Sequence, residues 1–176
     1  MYFYKWILGS PDLNIFMGCV GQDDYADIIV SKAEESGLRT ILQINDEAST
    51  AKCATLLTDQ NRSMVAHLGA ATTFTDDHLD SDNNMYFVEN SEIFYITGFF
   101  FSTCMDSVIR IAKFCHDNDR LLCVNLSALF LTQFFKKELL QILPYVDILF
   151  GNDDVNISII ILVKFYRFIL FYYLTF

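Results

Sequence analysis

Arg62 opens a run in which Met64, Ala66 and Leu68 alternate with Ser63, Val65 and His67. A guanidinium is a planar fork of donors that matches a phosphate and stays charged when partly buried. By residue type alone, a solvated arginine at the head of a strand is the commoner outcome. Phe99, Phe100, Phe101 and Phe130 could give flat apolar walls to a purine ring, or could be plain core. Gly18-Cys19-Val20-Gly21-Gln22-Asp23 sets two glycines at a strand-to-helix turn, where the backbone can approach a neighbour closely. Gly-x-x-Gly is neither a dinucleotide fingerprint nor a phosphate loop, which need more glycines or a lysine, so a structural role is the simpler reading there.

Other chemistries fail on spacing. Asp80, Asp82 and Asn84 stand at calcium-loop intervals, but Met85 takes the place of the turn glycine and Ser91 that of the bidentate carboxylate. His67, His78 and His116 are far apart, and none sits beside a cysteine pair at zinc spacing. Cys115 and His116 are adjacent, and neighbours on a helix point about 100° apart, which suits a nucleophile and its base poorly.

The elements around these residues form a readable series. An apolar run at 13–20 leads into a helical pattern from Asp23, with Ala26, Ile29, Val30 and Ala33 on one face and Gly37 as its stop. Three short strand-like segments follow at 40–45, 53–58 and 62–68, and are expected to make a small antiparallel sheet. Residues 73–84 are polar and acidic, and read as a solvated loop or short helix. From Ile93, apolar strands at 93–97, 121–126 and 146–150 alternate with amphipathic helices, one carrying Val108, Ile111, Ala112 and Cys115 and one spanning 129–142. Apolar strands alternating with helices imply a parallel sheet covered on both faces, with any ligand at the strand ends.

Composition narrows the functional classes. With 176 residues, one domain is the default. A formal charge of −10 argues against a partner read through its phosphate backbone. Five cysteines without Cys-x-x-Cys spacing suit a reducing cytoplasm, with the nucleus as a second compartment. The start, MYFYKWILGSP, lacks the pattern of a signal peptide. Apolar residues make up 53% of the chain, including 17 Phe and 9 Tyr, so more of it needs burial than a small domain ordinarily offers. Residues 156–176 are almost wholly apolar or aromatic, interrupted by Lys164 and Arg167. Two central charges cost a membrane helix about 2.5 to 3.5 kcal/mol each, so a membrane span is disfavoured. Translation past a gene-model boundary is the favoured reading, ahead of a buried element or a partner anchor.

Five blocks then fall in order: GCVGQD at 18–23, NRSMVAHLGAA at 61–71, YITGFF at 95–100, NLSALF at 125–130 and YVDILFGN at 145–152. Together they resemble the adenosine kinases of the ribokinase-like family, over about residues 6–153. The resemblance implies an α/β fold, a doubly wound and mostly parallel sheet with a small β-sheet lid over about 40–68. It implies ATP-dependent phosphorylation of the adenosine 5′-hydroxyl to AMP in purine salvage, with magnesium. By motif position, Cys53, Met64, Ala66, Phe99 and Phe130 would line the nucleoside pocket, Arg62 would face the transferred phosphate, and Asn152 would stand near magnesium and phosphate.

The departures are equally specific. Val155 stands where the family's Asn-x-x-Glu motif has its glutamate, Ala51 and Lys52 replace a Gly-Thr, and Leu129 replaces a proline. No Gly-Ala-Gly-Asp motif, which in the family brings the catalytic aspartate and anion hole, occurs in the 176 residues. The expectation is therefore a kinase-like part over 1–155, an unrelated apolar tail over 156–176, and a chain inactive by itself. A non-catalytic binding or regulatory protein is the alternative. Unpaired sheet edges and the tail would also invite pairing or aggregation.

Overall fold

The computed structural model describes residues 13–59, 61–152 and 169–173. The chain divides into two compact units, 1–78 and 79–176.

In the first unit, β1 (Ile15–Gly21) leads into α1 (Asp24–Glu35), and β2 (Arg39–Asn45) returns to pair with β1 in parallel, Ile15 opposite Arg39 and Gly21 opposite Asn45. The helix begins where the sequence predicts. The Asp23 side chain caps it by accepting from the Ala26 N–H, and Asp24 and Asp27 fill the first turn, a favourable placement against the helix dipole. Ala26 and Ala33 are its buried residues. Gly37 follows at φ +65°, the left-handed exit that glycine accepts without penalty.

The segment at 40–45 departs from its expected partner. It joins β1 in parallel instead of the antiparallel lid, because α1 supplies the long crossover that parallel pairing requires. The antiparallel sheet is thus a two-stranded ribbon, β3 (Lys52–Thr58) with β4 (Asn61–His67). Its turn includes Asp59 at φ +53°, a conformation that aspartate tolerates better than most residues.

In the second unit, α2 (Asp82–Glu89) is capped by Ser81, whose hydroxyl accepts from the Asn84 N–H. The preceding acidic stretch is partly folded, with a 3-10 turn at Asp76–Asp80 and with Phe74 and Leu79 buried. Next come β5 (Ile93–Thr97), α3 (Met105–Asp117), β6 (Leu121–Asn125), α4 (Leu129–Phe134), α5 (Lys136–Ile142), β7 (Ile148–Asn152) and β8 (Ile169–Tyr173). The strands pair in parallel in the order β5-β6-β7-β8.

One face of this sheet, carrying Leu122, Val124 and Leu149, forms the core with Val108, Ala112 and Cys115 of α3 and Leu139 and Ile142 of α5. The opposite face is not covered at its β5 edge, where Ile93 is 65% and Tyr95 44% exposed. Coverage of both faces, expected from the apolar strands, therefore does not extend to this edge among the described residues. The single helix expected over 129–142 is two, broken at Phe135, whose ring meets Phe130 edge-on. Of the tail, only 169–173 is described, and it adds a strand beside β7. The remainder lies outside the described residues. Among those described, no helix is long and apolar enough to cross a membrane.

Candidate functional site

The ribbon gathers four of the expected residues. Directly opposed residues of an antiparallel pair share a face, and side chains alternate along each strand. Cys53 lies opposite Ala66, Thr55 opposite Met64, and Leu57 opposite Arg62. Cys53, Arg62, Met64 and Ala66 are therefore on one face of the ribbon, with Arg62 near the turn and the small residues Cys53 and Ala66 near the base. All the residues of both strands are exposed, Met64 at 61%. Among the described residues, Arg62 has no ion pair. Such a face offers an apolar, polarisable floor with a cation at one end.

The second unit brings together Phe99 and Phe130. Their ring centroids are 5.9 Å apart and inclined by 34°, within the range of favourable aromatic pairs. Of the Phe triplet only Phe99 points out, at 55% exposure, while Phe101 is buried and Phe100 packs against the core. Both rings follow the C-terminal ends of strands, Phe99 after β5 and Phe130 after β6, the edge at which parallel sheets bind ligands. Asn152 ends β7 at this same edge; its side-chain role lies outside the described residues.

Sequence reasoning missed the group that sets this pair. Asn125 donates to the Tyr95 hydroxyl at 2.9 Å and accepts from the Ser127 N–H at 2.9 Å. Ser127, at φ +59°, accepts the Gly98 N–H through its hydroxyl at 3.2 Å. Gly98 is tightly enclosed: a Cβ there would meet Leu131 Cδ1, with the Asn125 and Leu126 carbonyl oxygens at 2.8 and 2.9 Å. The only signal in the sequence was a polar pair, Asn125 and Ser127, at the end of an apolar strand.

The first unit has a comparable cluster. Asp23 accepts the Ala26 N–H at 3.1 Å with one carboxylate oxygen and the Thr50 N–H at 2.9 Å with the other. The Gly21 N–H donates to the Thr50 hydroxyl at 2.9 Å. The Thr50 hydroxyl first, and then its backbone N–H, hold the Asp23 carboxyl below the usual carboxylate range, against an opposing effect of burial. Gly21 is needed for close approach, since a Cβ would meet the Ala48 carbonyl oxygen and the Thr50 nitrogen. Gly18 has no such constraint beyond ordinary contact.

The cysteines divide by environment. Cys53 is exposed on the ribbon, whereas burial, with Asp147 nearby, pushes the Cys115 thiol up to about 12 and raises that of Cys123. Among the described residues, no group of three His, Cys, Asp or Glu side chains could hold a metal ion. Asp80, from the rejected calcium pattern, pairs with Arg110 at 2.7 Å.

The resemblance read from the five blocks is borne out. A family model described as "pfkB family carbohydrate kinase" matches residues 15–154. The chain is 35% identical over 150 residues to an adenosine kinase of Dictyostelium discoideum, covering 85% of this chain and 44% of that protein. It is 33% identical to the adenosine kinase of Saccharomyces cerevisiae, covering 85% of this chain and 43% of the other. Among solved structures it is similar to Anopheles gambiae adenosine kinase in complex with P1,P4-di(adenosine-5) tetraphosphate. That match has a TM-score of 0.86 and 41% identity, over 89% of this chain and 46% of that one. It is also similar to Schistosoma mansoni adenosine kinase in complex with adenosine, with a TM-score of 0.85 and 35% identity, over 89% and 46%. The chain thus spans less than half the length of these relatives.

Proposed function

Because this chain belongs to the pfkB family of carbohydrate kinases, we propose that its reaction is the ATP-dependent phosphorylation of the adenosine 5′-hydroxyl to AMP, and that these residues form the nucleoside-binding part of that kinase. The carrying observation is the shared ribbon face. Cys53, Met64 and Ala66 provide an apolar surface for the nucleoside, and Arg62, at the far end of the same face, neutralises charge on the phosphoryl group in flight. Phosphoryl transfer depends mainly on positioning and electrostatics, which suits a cation held on a rigid strand. Within the second unit, Phe99 and Phe130 form an aromatic pair suited to a purine ring.

Magnesium with ATP would supply the phosphoryl group and shield its charge. No metal-holding donor set stands among the described residues, so the roles assigned to this chain stop at binding, orientation and the Arg62 charge. Residues 1–155 are taken as the kinase-like part and 156–176 as a tail unrelated to the family, of which 169–173 pair with β7. The odd, unpaired cysteines support a reducing compartment, the cytoplasm.

Assayed as the 176-residue chain with adenosine, ATP and magnesium, the protein is expected to form no AMP; measurable turnover would show that these residues suffice for the transfer. A separate test concerns the nucleoside face. With iodoacetamide at pH 8, Cys53 should react first and Cys115 should stay unmodified, since a thiol titrating near 12 has little thiolate at that pH. Adenosine should slow the Cys53 reaction, as followed by peptide mass mapping. Unchanged labelling at saturating adenosine would remove Cys53 from the site.

A further inference from the structure

Among the described residues, the ribbon that carries the candidate face is held only at its base. Every residue of β3 and β4 is exposed, so among the described residues no buried packing along its length sets its angle. Its two feet are residues 49–52 and 67–70. The first foot is pinned three times: Asp23 accepts the Thr50 N–H at 2.9 Å, the Thr50 hydroxyl accepts the Gly21 N–H at 2.9 Å, and the Lys52 ammonium lies 4.1 Å above the Tyr25 ring. Thr50 is 1% exposed, so its two hydrogen bonds are shielded from competing water. The second foot is joined to the first, the Ala70 N–H donating to the Ser49 carbonyl at 2.9 Å, and it also packs on β1 through the 69–72 turn, where Ala70 is fully buried. Gly69, at φ +47°, makes that approach possible.

We propose that Asp23 and Thr50 form a latch that fixes the ribbon's angle, making Asp23 a positioning residue for the nucleoside face. This rests on the adenosine reading only for its functional consequence. Asp23 touches neither Cys53 nor Arg62; it acts through Thr50, three residues ahead of Cys53. A seven-residue strand is about 23 Å long, so a turn of about 5° at the base moves the Arg62 end by about 2 Å. Displacements of this order are enough to cost a reaction a hundredfold. The depressed carboxyl of Asp23 agrees with a carboxylate that keeps both acceptors engaged. Asp23 therefore has two functions, one oxygen starting α1 and the other holding the ribbon.

Asp23→Ser separates the two. Serine is an N-cap of similar rank, but its single, shorter hydroxyl cannot serve Ala26 and also reach Thr50. In the full 176-residue chain, amide hydrogen exchange at 50–53 and across β4 is expected to quicken at least tenfold, with β1 and β2 unchanged. Adenosine should bind about tenfold more weakly. Thr50→Val should reproduce both effects and Thr50→Ser should restore both, which keeps the test decisive if Asp23→Ser fails to fold. Unchanged exchange in both Asp23→Ser and Thr50→Val would overturn the latch, as would quickening that spreads equally through β1 and β2. A loosened ribbon with undiminished adenosine affinity would overturn the positioning role. A loosened ribbon in a chain whose wild type binds no adenosine would uphold the latch and defeat the nucleoside reading.

Discussion

Gly98→Ala is expected to destabilise the second unit by at least about 3 kcal/mol, the upper end for overpacking in a well-filled core. The added methyl would collide with Leu131 Cδ1 and crowd the Asn125 and Leu126 carbonyl oxygens. Two of those neighbours are backbone and cannot rotate away. Relief would require moving the 125–127 turn, whose Ser127 hydroxyl accepts the Gly98 N–H, and with it the start of α4. Since a domain's whole stability is about 5–15 kcal/mol, urea unfolding followed by circular dichroism should show a clearly lowered midpoint. A wild-type midpoint would mean that Leu131 and the turn yield easily. The same displacement would separate Phe99 from Phe130, so any adenosine binding should fall with it.

Phe99→Ala should have the largest effect on adenosine binding at the least structural cost. Removing an aromatic platform from a stacked base costs about 1–3 kcal/mol, or about 5- to 150-fold in Kd at about 1.4 kcal/mol per tenfold. Because Phe99 is more than half exposed, its removal opens no cavity in the core and should leave the unfolding midpoint nearly unchanged. Phe130→Ala should weaken binding similarly but also lower stability, since its ring packs on Phe135 as well as on Phe99. Phe101→Ala is the contrasting variant. Its ring is buried, and truncation of such a residue costs about 3–5 kcal/mol, so its effect should appear in stability first. Isothermal calorimetry paired with thermal unfolding separates the three. Wild-type affinity in Phe99→Ala would remove the aromatic wall from the adenosine reading.

Much of this organisation was legible in residue order. The α1 boundaries followed from the helical pattern that begins at Asp23 and from Gly37 as its stop, because helix starts and left-handed exits are local requirements. The α3 face followed from the spacing of Val108, Ala112 and Cys115, all of which are buried. The five blocks identified the family, and the family model over 15–154 agrees with them. Less legible was any choice made between partners distant in sequence. Residues 39–45 form a strand as expected, but whether that strand pairs with β1 or with the ribbon depends on the crossover through α1. The helix over 129–142 has the right periodicity and still breaks at Phe135, whose backbone leaves the helical region at φ −113° and ψ 29°.

The sequence by itself determined residue chemistry and local geometry: a lone arginine on an alternating strand, aromatic runs beside a glycine, and an acidic helix start. Only the tertiary structure decided that Cys53 joins the face of Arg62, Met64 and Ala66, that Phe99 and not Phe101 presents its ring, and that Asp23 bonds Thr50 as well as Ala26. The reason is one of range. Propensity, capping and alternation act within a few residues, whereas strand register, burial and a hydrogen bond across 27 positions depend on which segments pack together, and no short stretch of sequence carries that information.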